Sequence, residues 1–333
     1  MKRILGLVLI PFLVIVSAGT ADDIRPQTRP VHTYSIVARD KNTGELGVAV
    51  QSHWFSVGSV VPWAESGVGA VATQSFVETD YGPLGLELMK SGKSAEEALR
   101  DLVRADKNGS VRQVGMVDAR GKAVAHTGNN CIPEAGQFVG DGFTCQANMM
   151  LKNTVWKAMA GAFETAKGEL ADRLLAALEA AEREGGDIRG KQSAALLVVK
   201  GKSSGKPWKD RIFDLRVEDH LSPVPELKRL LTLNKAYNHM NMGDEFMTEN
   251  KIAEAVKEYT AGMDIYPDNP EMLFWPAVTM ASAGRVEESL PLFKKVFAQD
   301  PNWAVLLARL PKVGQFPNDE KLLKTILSLA PKK

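Results

Sequence analysis

The sequence predicts an α+β protein: a four-layer αββα sandwich followed by an all-α helical-repeat domain. Three observations carry this. Helices arrive in pairs between groups of strands, in the order strands, two helices, strands, two helices, strands. The strands are apolar on both faces, as in "LGVAV" and "GAVAT". Beyond Asp219 the pattern becomes wholly helical, with a period of 34 residues. Paired helices exclude a doubly wound parallel sheet, which needs one crossover helix between strands. Strands without a polar face are covered by protein on both sides. Two stacked sheets with helices outside meet both conditions.

Taken in order, Tyr34 to Ala38 reads as a strand and Leu46 to Ser52 as its return. Lys41-Asn42-Thr43-Gly44 forms the turn between them, where Asn and Gly tolerate positive φ. Val68 to Ser75 is the third strand. One helix opens at Gly82-Pro83 and ends near Ser91-Gly92. A second opens at the capping box Ser94-Ala95-Glu96-Glu97 and turns Ala98, Leu99, Leu102 and Val103 inward. Val111 to Asp118 and Lys122 to Thr127 form a hairpin around Arg120-Gly121, and Phe143 to Asn148 reads as a short strand. Two helices follow, from about Lys152 to Ala166 and from Glu169 to Glu184, the second with Leu170, Leu174 and Leu178 at helical spacing. Gly185-Gly186 stops it, and Gln192 to Lys200 with Arg211 to Val217 makes the last hairpin.

This first domain spans residues 33–220. Pro223 and Pro225 mark a junction, and residues 226–333 form the second domain. There Tyr259 matches Phe293 one period on, Pro267 matches Pro301, and Ala255 falls opposite Ser289. Gly243, Phe246, Ala255, Tyr259 and Pro267 occupy the small, aromatic, small, aromatic and proline places of a tetratricopeptide repeat. Two helical hairpins and a closing helix at Asp319 to Leu329 are expected. Fewer than three repeats seldom stand alone, so the module is expected to pack on the first domain.

The first 21 residues fit a secretory signal peptide: Lys2 and Arg3, an apolar run from Ile4 to Val16, and small residues for cleavage after Ala21. The apolar run is too short to span a bilayer. Export to a periplasmic or extracellular location follows, with no membrane span after cleavage. Residues 22–32, with Pro26 and Pro30, read as a leader. The formal net charge of +1, with no Lys/Arg run beyond Lys2-Arg3, gives no electrostatic case for nucleic acid or for an acidic membrane surface. Two cysteines, Cys131 and Cys145, leave a disulfide and a pair of buried thiols both open.

The chain has no GxSxG, HExxH, phosphate-binding loop or GxGxxG after a strand, and its five histidines lack metal-ligand spacing. No metal or cofactor is expected. What remains is fold logic. One class of amide hydrolases uses the first residue of an αββα domain as nucleophile. Its hydroxyl attacks, and its own α-amine, titrating near pH 8, serves as base. Thr33, directly before a strand, meets that need, with a plain strand residue as the alternative. Ser35 and Arg39 share its face by alternation, and Arg39 is a candidate for stabilising charge. Gln74 and Asn148, at strand ends, are candidate donors to an oxyanion. Ser52, His53, His126 and Asn129 are candidate substrate contacts. So are Asp187 and Arg189, in the loop "DIRGKQS". For each, a locally satisfied polar group is the plain alternative.

Six blocks, "TYSIVARDKNTGELGVAVQS", "VGSVVPWAESGVGAVATQS", "YGPLGLELMKSGKSAEEAL", "GMVDARGKAVAHTG", "GGDIRGKQSAALLVV" and "DLRVEDHLSPVPELKRLL", resemble in order the domain-of-unknown-function 1028 family, from Thr33 to about Leu231. The resemblance implies the fold of the amino-terminal-nucleophile hydrolases but no established reaction, and some members resemble this chain in carrying a tetratricopeptide-like tail. Many members begin Met-Thr at the position of Thr33. Here cleavage after Ala21 leaves Asp22 to His32 in front of it, so a further cut is needed. The early-strand lysine of the proteasome branch is missing: between Tyr34 and Ser75 the only lysine is Lys41, in a turn. An amide hydrolase acting on a small-molecule or peptide substrate is therefore one expectation. A non-catalytic scaffold binding a protein partner through its helical tail is the other. A homo-oligomer stays open.

Overall fold

The structure, a computed structural model, describes residues 33–331. The expected signal peptide and leader lie outside the described residues. The chain opens with β1 (Thr33–Arg39), β2 (Leu46–Ser52), β3 (Pro62–Glu65) and β4 (Gly69–Ser75), followed by α1 (Tyr81–Lys90) and α2 (Ala95–Ala105). Then come β5 (Arg112–Asp118), β6 (Ala123–Thr127), β7 (Gly136–Gly140) and β8 (Phe143–Ala147). The domain continues with α3 (Val155–Thr165), α4 (Leu170–Arg183), β9 (Ser193–Val199) and β10 (Arg211–Val217).

The strands form two antiparallel sheets, one ordered β10-β9-β2-β1-β8-β7 and the other β3-β4-β5-β6. Alternation fixes which face each side chain takes. On β1, Tyr34, Ile36 and Ala38 join Leu170, Leu174 and Leu178 in a core under α3 and α4. Val37 faces the other way, into an inter-sheet core with Val48, Val50, Ala70 and Ala72. α1 and α2 close the far side over Val71, Val114 and Met116. The arrangement is the expected αββα sandwich. The expected capping box of α2 is present: Ser94 N–H donates to Glu97 Oε2 at 2.8 Å, and Glu97 N–H to Ser94 Oγ at 3.3 Å.

Two strands were not legible, β3 and β7. Both are short sheet edges, and their sequences "PWAE" and "GQFVG" carry the Pro and Gly that edges tolerate.

The helical region consists of α5 (Pro223–Thr248), α6 (Ile252–Ile265), α7 (Pro270–Ser282), α8 (Val286–Gln299), α9 (Asn302–Leu307) and α10 (Glu320–Leu327). α5 is a single 26-residue helix, and the expected domain boundary falls within its first turn. Its Val224, Leu227 and Leu231 belong to the sandwich core, whereas Ala236 and Met240 pack with Ala255 and Tyr259 of α6. One helix thus fastens the tail to the sandwich. Gly243 permits the close approach of α5 and α6, since a Cβ there would lie 2.4 Å from the Tyr259 ring.

Candidate functional site

One end of the inter-sheet layer is polar. The start of β1, the ends of β2, β4, β6 and β8, and the starts of β5, β7 and β9 converge there. Thr33 opens β1 fully buried, and by alternation its side chain faces the space between the sheets. Its register partner on β2 is Ser52, whose partner on β9 is Ser193. Partners share a face, so the three hydroxyl residues form a row. Ser193 is occupied structurally: its Oγ accepts from Val57 N–H at 3.1 Å and donates to the Trp54 carbonyl.

Opposite this row lies a buried amide network. Gln74 Nε2 donates to the Thr33 carbonyl at 3.1 Å and to Gln113 Oε1 at 2.7 Å. Asn148 N–H donates to the same Thr33 carbonyl at 3.2 Å, and its side-chain amide to Gln113 Oε1 at 2.8 Å. Gln113 Nε2 in turn donates to Thr127 Oγ1 at 2.9 Å and to the Ala147 carbonyl at 2.9 Å. Ser35 Oγ links Gln74 to Gln146, donating to Gln74 Oε1 at 2.6 Å and accepting from Gln146 Nε2 at 2.6 Å. Gly115 makes room for Gln146: a Cβ there would fall 2.3 Å from Gln146 Oε1. The amides of this network are buried at tolerable cost because they are partnered to one another.

The structure thus brings Thr33, Ser52, Gln74 and Asn148 together. It uses the amides of Gln74 and Asn148 to hold the backbone of Thr33 and the carbonyl of Gln113. Arg39 is not part of this group. It closes β1 six residues on, opposite Leu46, roughly 20 Å from Thr33 at ~3.3 Å per residue. A role for Arg39 in stabilising charge at Thr33 is corrected on that ground.

His53, just past β2, donates its N–H to Asp187 Oδ2 at 3.1 Å, and its Nδ1 is buried without a hydrogen-bond partner. Arg189 forks onto Asp187, with Nε to Oδ1 at 3.1 Å and Nη2 to Oδ2 at 2.7 Å. Both Asp187 oxygens therefore serve to fix the loop at the rim. His126 stands opposite Val114 on the face that packs against α2, with Nε2 2.8 Å from the Gly109 carbonyl. That places it on the outer face of its sheet, away from Thr33. Asn129 is exposed in the turn after β6, at the rim.

Backbone strain gathers at the same end. Ser75 closes β4 at φ 72°, and Met149, next to Asn148, has φ 55°, a region that non-glycine residues seldom adopt. Burial pushes both thiols, Cys131 and Cys145, above the ordinary cysteine range, away from the reactive thiolate form. Both are free and buried, so the disulfide alternative is not realised. On the reverse face of β1, burial raises the Tyr34 phenol well above its usual value, and Glu182 and Asp187 add to the effect. Among the described residues no group of three His, Cys, Asp or Glu side chains could hold a metal ion.

Sequence reading missed Gln113, Gln146 and Thr127. A signal was present: β4, β5, β7 and β8 each carry a glutamine within two residues of this end, at Gln74, Gln113, Gln137 and Gln146.

Fold and site together define a layered αββα domain whose first strand begins with a buried hydroxyl residue held by an amide network. The chain belongs to a family of unknown function, DUF1028, whose model matches residues 33–227. A crystal structure of a family member from Silicibacter pomeroyi is 30% identical, covers 60% of this chain and 88% of that chain, and superposes with a TM-score of 0.54. No curated protein matches the chain.

Proposed function

We propose that the chain is an exported amide-bond hydrolase of the amino-terminal-nucleophile type, held latent until the segment before Thr33 is removed. In this reading the Thr33 hydroxyl attacks the substrate carbonyl carbon and its proton passes to the freed α-amine of Thr33. The tetrahedral intermediate then expels the substrate amine, which carries that proton away, and water hydrolyses the remaining ester. The α-amine is a competent base because it titrates near pH 8, close to working pH. Gln74 and Asn148 act as positioning residues: by clamping the Thr33 carbonyl they fix the amine relative to the hydroxyl. The observation that carries the reading is the placement of Thr33, first on β1 and facing between the sheets, where Gln74 and Asn148 converge on its carbonyl. Export rests on the basic start, apolar run and small residues that end at Ala21.

The test compares two forms, one beginning at Asp22 and one at Thr33, against peptide and small-amide mixtures read by mass spectrometry. Hydrolysis by the Thr33 form, lost in Thr33→Ala and kept in part by Thr33→Ser, supports the proposal. Equal activity of the Thr33→Ala variant removes Thr33 from the chemistry.

A second reading, a binding platform, is favoured by a different observation. The helical region has a cavity of ~790 Å³ lined by Tyr259, Trp275, Thr279 and Phe316, with Asp244 at its edge. The period of the sequence and the Gly243–Tyr259 contact favour a tetratricopeptide-like module here, a class that presents concave faces to peptides. A Thr33 form that hydrolyses nothing, joined to peptide binding lost in Trp275→Ala, favours this reading.

A further inference from the structure

The connection between β9 and β10 lies at the end of the sandwich opposite Thr33, where Gly201 packs directly against Gly44 of the β1–β2 turn. It reads "KGKSSGKPWKD" from Lys200 to Asp210. Trp208, in its short helical turn, is 74% exposed. A single exposed aromatic is ordinary on a protein surface; what surrounds this one sets it apart. Lys200, Lys202, Lys206 and Lys209 around it are all exposed. Asp210, the one acidic residue of the connection, is buried and turned inward, accepting from Ser204 N–H at 2.9 Å and Ser203 Oγ at 3.3 Å. The ion pairs nearby are Lys90–Glu65 and Arg211–Asp214, and among the described residues the loop lysines make none. The loop is also held in place: Ser66 Oγ donates to the Lys200 carbonyl at 2.7 Å. Beside it opens a cavity of ~620 Å³ whose lining includes Lys202 and the Lys90–Glu65 ion pair.

We propose that this loop is a docking point for an anionic lipid bilayer. Tryptophan settles at the boundary between headgroups and acyl chains, and clustered lysines are drawn to a negative leaflet. The exposed Trp208 with Lys202, Lys206 and Lys209 around it provides both. Docking by this end leaves the Thr33 end facing away from the membrane.

The experiment is co-sedimentation of the chain lacking residues 1–21 with vesicles of phosphatidylcholine alone or mixed with phosphatidylglycerol. Binding is expected only with the mixed vesicles, and high salt is expected to reverse it. Lys206→Glu/Lys209→Glu is expected to weaken it by roughly tenfold or more. Trp208→Ala is expected to weaken it several-fold and to abolish the quenching of fluorescence by brominated acyl chains. All three positions are exposed, so unchanged thermal melting is the expected control. No binding to either vesicle overturns the proposal, as does binding that both variants retain in full. Binding of equal strength to both vesicle types overturns the electrostatic part, and loop-dependent capture of a protein in place of vesicles overturns the choice of a lipid surface.

Discussion

The two halves of the inter-sheet layer are made of opposite materials. Where β2 and β9 lie over β3 and β4, the filling is Leu46, Val48, Val50, Ala70, Ala72 and Ala195. Where β1 and β8, beyond Val37, lie over the end of β4 and the start of β5, it is Ser35, Gln74, Gln113, Gln146 and Asn148, all fully buried. The apolar half is held by area removed from water, which is non-directional and tolerates exchange of similar volumes. The polar half is held by partners. Each amide there is satisfied only while its neighbours stay in place, so the network fixes one geometry at the cost of tolerance. The half held mainly by hydrogen-bond partners is the half that contains Thr33.

That contrast can be broken by paired substitutions. Gln113→Ala leaves the amides of Gln74 and Asn148 without their shared acceptor. Gln74 keeps the Thr33 carbonyl as acceptor, so the cost comes from the hydrogen bonds lost, ~0.5–1.5 kcal/mol each, plus the space left behind, and is expected at about 4 kcal/mol in urea unfolding. Val48→Ala in the apolar half loses only the transfer of two methyl groups and a small cavity, about 2 kcal/mol. Equal losses would remove the distinction between the halves.

A smaller effect is expected on acidification. At the end of α2, burial alone raises the Asp106 carboxyl, but the Arg112 guanidinium at 2.7 Å and the Asn108 N–H at 2.8 Å outweigh it and hold the group below its usual range. A depressed folded value means the contribution is present above about pH 4 and is lost as pH falls through the folded value. Asp106→Asn is expected to flatten the decline of melting temperature below about pH 4, and an unchanged slope would assign that decline to other carboxylates. The smallest expected effect is chemical. Cys131 and Cys145, buried and reduced, are expected to resist thiol reagents in the native state and to label fully once unfolded. Rapid native labelling of either would contradict their burial.

The architecture was legible because it rests on periodicity. Leu170, Leu174 and Leu178 marked α4, the Ser94–Glu97 box marked the start of α2, and Gly44 marked the first hairpin. The site was legible at its ends, through Thr33, Ser52, Gln74 and Asn148. It was not legible in its middle. Gln113 and Gln146 are single polar residues in apolar strands, and only the pairing of β1 with β8 and the stacking of β5 beneath them bring these residues together. Arg39 shared the face of Thr33 by alternation, but alternation says nothing of distance along the strand. Pro223 and Pro225, read as a junction with helix beyond, occupy the first turn of α5, where proline costs no hydrogen bond.

The central claim is that a free amine at Thr33 creates the activity. It is tested most directly by removing the residues before Thr33 and measuring amide hydrolysis before and after. Activity is expected to appear with the new terminus and to fall by roughly 10³-fold or more in Thr33→Ala. Hydrolysis at the same rate with the leader still attached would contradict the account.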